Sequence, residues 1–118
     1  MVYARKRLQV LKGVYLKMKR IVLFCAGGMS TGILVNNMRK AATAAGKEYS
    51  IDAYGLSEVD AYGPEADVIL VGPQVRYALN GLKEKFPGKP IESIDTRTYG
   101  MMKGDVVLQT AMKLMGEE

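Results

Sequence analysis

"IVLFCAGGMSTGILV", residues 21–35, decides the fold and raises the functional question. Four apolar residues run into Cys25, the single cysteine of the chain. An uninterrupted apolar run of this length reads as a strand buried on both faces. Ala26, Gly27, Gly28 and Met29 follow, and small residues there let the backbone turn tightly. Ser30 and Thr31 then open a helical pattern, and either hydroxyl suits a helix N-cap. A strand, a small-residue loop and a helix N-terminus make one unit.

Working outward, the same alternation repeats. Leu34, Met38, Ala41, Ala42 and Ala45 form one helical stripe that stops at Gly46. Residues 49–54 alternate, with Tyr49, Ile51 and Ala53 on one side and Ser50, Asp52 and Tyr54 on the other, as in a half-exposed strand. "ADVILVG", residues 66–72, is continuously apolar again. Val75, Ala78, Leu79, Leu82 and Phe86 make a second helical stripe, ended by "PGKP". "PIESID" is a fourth strand. Val107, Leu108, Ala111, Met112 and Met115 make a last helix. Short βα units of this kind predict an α/β fold: a four-stranded parallel sheet with helices on both faces and a phosphatase-like cysteine loop after strand 1. The two most apolar strands should be central and the alternating one an edge, so the order is 2-1-3-4. Ligands then bind beyond the carboxyl ends of the strands, where the order reverses. That places a crevice between the first and third strands, bounded by the Cys25 loop and the "GPQ" loop at 72–74.

The 118 residues suffice for one packed domain. No apolar run reaches the ~20 residues a membrane helix needs, and no secretory signal pattern follows the basic amino terminus. One cysteine makes no internal disulfide, which favours the cytosol. The chain has no histidine. That removes Ser-His-Asp hydrolysis, Cys-His proteolysis and His-based metal sites. Residues 1–17 carry Arg5, Lys6, Arg7, Lys12 and Lys17 without an acid, while the other 12 basic residues balance 12 acidic ones. A nucleic-acid binder carries its basic excess on the folded surface, so no nucleic-acid partner is expected. Residues 1–17 read as an extension outside the fold, with the domain at 18–118. The alternative for that segment is a basic amphipathic helix using Leu8, Leu11 and Tyr15, interrupted by Gly13.

The chemistry centres on Cys25. Inward N–H groups of residues 26–31 and the helix N-terminus suit a dianion. The same field favours a thiolate, the nucleophilic form. Taken singly, these features are also those of a buried cysteine, a turn and a helix cap. "CAGGMSTG" is neither a dinucleotide G-x-G-x-x-G nor a P-loop, and a C-x-x-C pair is absent. A cysteine phosphatase loop has the form C-x5-R, and the arginine position holds Thr31. Such a loop accepts a phosphoryl group without speeding its loss to water, which suits a carrier. A low-molecular-weight cysteine phosphatase relative and a non-catalytic regulatory anion-binding module stay open.

"LFCAGGMSTGILVNNMRKAA", "ADVILVGPQVRYAL" and "KPIESIDTRTYGMMKGDVVLQTA" together resemble the IIB component of the lactose/cellobiose branch of the sugar phosphotransferase system, over residues 18–118. The resemblance implies a phosphotransferase that takes a phosphoryl group from a IIA phosphohistidine, holds it on cysteine, and passes it to a sugar bound in the membrane IIC transporter. Cys25 matches the phosphorylated cysteine, and Ala26, Gly27, Gly28, Met29, Ser30 and Thr31 match the phosphate-binding loop. Gly32 stands where relatives can have serine. Gln74 and Tyr99 lie on loops at the same end, as contacts of the site or partner, or as a turn residue and a packing aromatic. Two in-line displacements follow, with loop amides on the equatorial oxygens. No metal and no cofactor is expected. Transfer in both directions calls for an exposed Cys25 and a flat rim, for which Gly27, Gly28 and Met29 are suited. The chain is expected to be monomeric and cytoplasmic, meeting the membrane through IIC. The sugar is of the cellobiose, chitobiose or lactose class, and the loop is closer to the cellobiose/chitobiose type.

Overall fold

A computed structural model describes residues 8–11, 14–27 and 30–117. Leu8–Leu11 (β1) pairs antiparallel with Val14–Lys17 (β2) in a two-stranded sheet of their own. The segment therefore extends rather than coils into a helix. Val10, Val14 and Tyr15 favour strands, and an isolated helix this short is marginal.

The main sheet starts with β3 (Arg20–Cys25), buried at all six positions. After it come α1 (Ser30–Ala44), β4 (Ser50–Gly55), α2 (Val59–Tyr62), β5 (Val68–Val71), α3 (Leu79–Lys85), β6 (Ile91–Ser93), α4 (Thr96–Gly100) and α5 (Gly104–Met115). Short 3-10 turns at Leu56–Glu58 and Pro73–Ala78 precede α2 and α3. The four strands are parallel in the order β4-β3-β5-β6, which is the expected 2-1-3-4. The second helical stripe is split, because Val75 sits at φ −120° and breaks the helix before Leu79.

Alternation along β3 builds two cores. Ile21 and Leu23 face Leu34 and Met38 of α1 and Val107 and Leu108 of α5. Val22 and Phe24 face Val59, Val75, Leu82 and the opposite side of β5. Burying each such side chain stabilises the fold by about 1.5–3 kcal/mol. The outer edge of β4 is covered by Arg39, whose guanidinium donates to Ile51 O at 2.6 and 3.0 Å and to Asp52 at 3.0 Å. A charged side chain laid on an edge blocks further strand pairing. Arg20, buried at the start of β3, lies 3.5 Å from Glu65, 4.0 Å from Asp52 and 3.4 Å from the Tyr54 hydroxyl.

Helices α1 and α5 cross at Gly104. A Cβ there would lie 2.4–2.6 Å from Asn37 and Met38 atoms, two of them backbone. Gly104→Ala should therefore destabilise the fold by about 1–3 kcal/mol. Urea unfolding should show a lower midpoint at an unchanged slope, and an unchanged midpoint would refute the close crossing.

Candidate functional site

Cys25 is the last residue of β3, in register with Gly55 at the end of β4. The pairing of β3 with β4 ends there, one residue beyond the last β5 pair, Phe24 with Val71. Gly27 then adopts φ +100°, a conformation that L side chains rarely adopt. This turn aims the Gly27 N–H at Cys25 Sγ, 3.3 Å away. The Cys25 thiol in turn donates to the Tyr54 carbonyl at 3.7 Å. The sulfur thus touches one of the amides expected of an anion cradle. Gly28 and Met29 lie outside the described residues.

Cys25 is 4% exposed, not open on a flat rim. It lies against a cavity of about 340 Å³. Thr31 and Gly32 of α1 form one wall, and Ala53, Tyr54, Gly55 and Glu58 form the β4 side. The described opening is therefore on the β4 side of β3, where the strand order pointed to the β5 side. The cause is close packing at Gly72. Its N–H donates to Phe24 O at 2.9 Å. A Cβ on Gly72 would sit 3.5 Å from Cys25 Cβ and 3.1 Å from Gln74 Oε1. Gln74, exposed in the first turn of the 3-10 segment, thus approaches the same glycine.

Ser30 opens α1. Thr31 is 2% exposed, and its hydroxyl is engaged with the Tyr99 hydroxyl at 2.6 Å. Tyr99 is on α4 rather than on a loop and is 5% exposed. The structure thus joins Thr31 and Tyr99, while Gln74 and Cys25 each approach Gly72 and Gln74 does not line the Cys25 cavity. Gly32 faces open space, so a serine side chain there would meet nothing within 4 Å.

Glu58 was not evident from the sequence. Its carboxylate accepts the Gly55 N–H at 3.1 Å and lines the Cys25 cavity. The useful signal was an acid three residues beyond a glycine that ends a strand, a spacing that serves to cap a following turn. Helix α4 was missed as well. Asp95 is its N-cap, accepting from Thr98 N at 3.0 Å and from Thr98 Oγ1 at 3.1 Å. These bonds hold the Asp95 carboxyl below the usual carboxylate range. Tyr54 stacks on Tyr62 with ring centres 3.7 Å apart, which fixes the end of β4. Burial raises the Tyr54 phenol above its ordinary value; Asp52 adds to this and Arg20 opposes it.

Residues 20–110 match the family described as the lactose/cellobiose-specific IIB subunit of the phosphotransferase system. The chain belongs to this family. It is 42% identical over 104 residues to the galactose-specific EIIB component of Lactococcus lactis subsp. cremoris, covering 82% of this chain and 96% of that one. Identity and coverage are the same for the cellobiose-specific EIIB component of Lactococcus lactis subsp. lactis. The oligo-beta-mannoside-specific EIIB component of Bacillus subtilis is 35% identical over 100 residues, covering 83% of this chain and 97% of that one. The solution structure of the cellobiose-specific IIB component from Borrelia burgdorferi superposes with a TM-score of 0.72 at 35% identity, over 84% of this chain and 93% of that one. The lactose-specific IIB domain of Streptococcus pneumoniae shares the fold, with a TM-score of 0.69 at 20% identity, over 82% of this chain and 97% of that one. IIB components are phosphotransferases of sugar uptake, and this family works together with IIA and IIC components. Among the described residues, no helix of this IIB protein is long and apolar enough to cross a membrane.

The Asp95 cap gives α4 a pH dependence of known sign. A carboxyl lowered in the folded state contributes stability above its unfolded value and loses it as pH falls through the folded one. Protection of the Thr98 and Tyr99 amides, measured relative to their intrinsic base-catalysed exchange, should fall as Asp95 is protonated. Asp95→Ala should show that loss of protection already at neutral pH, while Asp95→Asn should keep the cap and flatten the pH response. Equal protection in all three proteins would rule out the cap as the support of α4.

Proposed function

We propose that this IIB protein carries a phosphoryl group on Cys25 Sγ, from a IIA phosphohistidine to a sugar hydroxyl held by IIC. The observation that supports this most is the Gly27 N–H aimed at the Cys25 sulfur below the start of α1, in a cavity large enough for an imidazole or a sugar hydroxyl. In the first step the Cys25 thiolate attacks phosphorus. The S–P bond forms, the N–P bond breaks, and the electron pair returns to the histidine nitrogen. In the second step a sugar oxygen attacks, the O–P bond forms and Cys25 leaves as thiolate, while the hydroxyl proton passes to a base outside this chain. Amides of the 26–31 loop hold the equatorial oxygens throughout. The mechanism calls for no metal and no cofactor. Because Cys25 lies at the floor of a cavity, the donor imidazole must enter it, in place of contact across a flat rim.

Residues 18–118 form the carrier unit in this reading, since the main sheet begins at Arg20 and the family match at residue 20. Residues 1–17 are an extension to it. The protein works as a monomer in the cytoplasm and meets the membrane only through IIC. It has no nucleic-acid role. The sugar is of the cellobiose, chitobiose or lactose class; the two relatives at 42% identity are named for galactose and for cellobiose. A phosphatase reading is weaker, because the clamp position holds Thr31, engaged by Tyr99, and carries no guanidinium.

Incubation with a phosphorylated IIA protein should add the mass of one phosphoryl group to the intact chain, and Cys25→Ala should add none. Uptake by Cys25→Ala would overturn the carrier assignment. Turnover of an aryl phosphate by the wild type would favour the phosphatase reading. Ile33 is 54% exposed on the first turn of α1, beside a groove continuous with the cavity through Gly32, Ala53 and Tyr54. As an apolar rim contact for IIA, Ile33→Ser should raise the apparent KM for phospho-IIA by about 5–30-fold, at an unchanged thermal midpoint. An unchanged KM would remove Ile33 from the docking rim.

A further inference from the structure

We propose that Tyr99 is a positioning residue of the phosphoryl site, acting through Thr31 as a two-hydroxyl relay that ends on the phosphoryl group of Cys25. The proposal rests on the carrier reading above. Three observations carry it. Thr31 shares the cavity with Cys25. Thr31 also stands at the residue where a C-x5-R loop has its phosphate-clamping arginine. Finally, its buried hydroxyl is 2.6 Å from the buried Tyr99 hydroxyl, 68 positions away in sequence.

A hydroxyl has one proton and two acceptor sites. When Tyr99 donates to Thr31 Oγ1, the Thr31 proton is left to point into the cavity. Hydrogen bonds in such a chain polarise one another, so Tyr99 strengthens the donor that Thr31 presents. Tyr99 itself need not touch the phosphoryl group. Helix α4, held by the Asp95 cap, fixes where the Tyr99 ring stands. Of the described residues lining the cavity, only Glu58 is charged, and its sign opposes a dianion. The relay thus supplies at this position a neutral donor in place of a cationic clamp.

A donor to a dianion lowers the second ionisation of the phosphoryl group, and losing the donor raises it. The phosphorylated full chain can be titrated by phosphorus NMR, reading the phosphocysteine shift against pH. Thr31→Val should raise the midpoint by about half a unit to one unit, the size expected for one hydrogen bond. Tyr99→Phe should raise it by a smaller amount, about 0.1–0.3 unit, the size of the lost polarisation. Thr31→Ser, which keeps the hydroxyl, should stay near wild type. The double variant Thr31→Val/Tyr99→Phe should go no further than Thr31→Val alone, because the two hydroxyls act in series. Where Thr31→Val does not fold, Thr31→Ala takes its place. A wild-type midpoint in Tyr99→Phe overturns the relay and leaves Tyr99 a packing residue. Additive shifts in the double variant overturn it too. A wild-type chain that takes no phosphoryl group from phospho-IIA would instead refute the carrier reading itself.

Discussion

Strand β3 is hydrogen-bonded along both edges and apolar on both faces, and the other elements of the main sheet take their places around it. Its parallel partners β4 and β5 are set in register from Ile21 onward. The residues of β3 alternate between two cores, so helices are required on both sides of the sheet. A parallel sheet without such cover would expose a continuous apolar strand to water. The same pairing fixes where the strand ends, and therefore where Cys25 stands. The cysteine is the last residue before the chain leaves the most rigid part of the molecule. Its loop can be built of small residues because the strand behind it supplies the rigidity.

That position creates a conflict between stability and reactivity. A sulfur at the end of a central strand tends to be buried, and Cys25 is. A nucleophile needs access. The structure reconciles the two on the β4 side, where β4 ends at Gly55 opposite Cys25 and the chain turns away through a 3-10 segment. On the β5 side the Gly72 backbone closes directly over Phe24. Among the described residues, the asymmetry between the two neighbours of β3 places the cavity on the β4 side. Glu58 and the Tyr54–Tyr62 stack hold that open side in shape.

The sequence made the sheet readable because burial on both faces leaves a plain mark, an unbroken apolar run. Tyr49, Ile51 and Ala53 alternating with polar residues marked the edge in the same direct way. The cysteine loop was legible from its small residues and from Thr31 at the clamp position. Three things were hidden. Helix α4 has five residues, too few to show a helical period, and only the Asp95 cap announced it. The hydrogen bond between Thr31 and Tyr99 joins two residues that nothing in one dimension pairs. Burial of Cys25 depends on the strands beside it and on the Gly72 backbone packed against it, which is a property of packing. Arg20 opens β3, and Glu65, Asp52 and Tyr54 converge on it and keep it inside the protein.

The composition of the site bears on what a carrier requires. A group that must be received from one partner and surrendered to another cannot sit in a deep energy well. An arginine clamp would deepen that well through charge-assisted bidentate bonds, roughly twice as strong as neutral ones. In the proposed carrier, backbone amides and a hydroxyl would bind the same oxygens less tightly, and Glu58 would raise the energy of a bound dianion. The chain also contains no histidine to act as a base inside the site. On the proposed carrier reading, neutral donors at the sulfur would hold a phosphoryl group less firmly than a cationic clamp and so favour passing it on. Thr31 and the absence of histidine both fit that reading, because each leaves the phosphoryl group to be taken up by a partner.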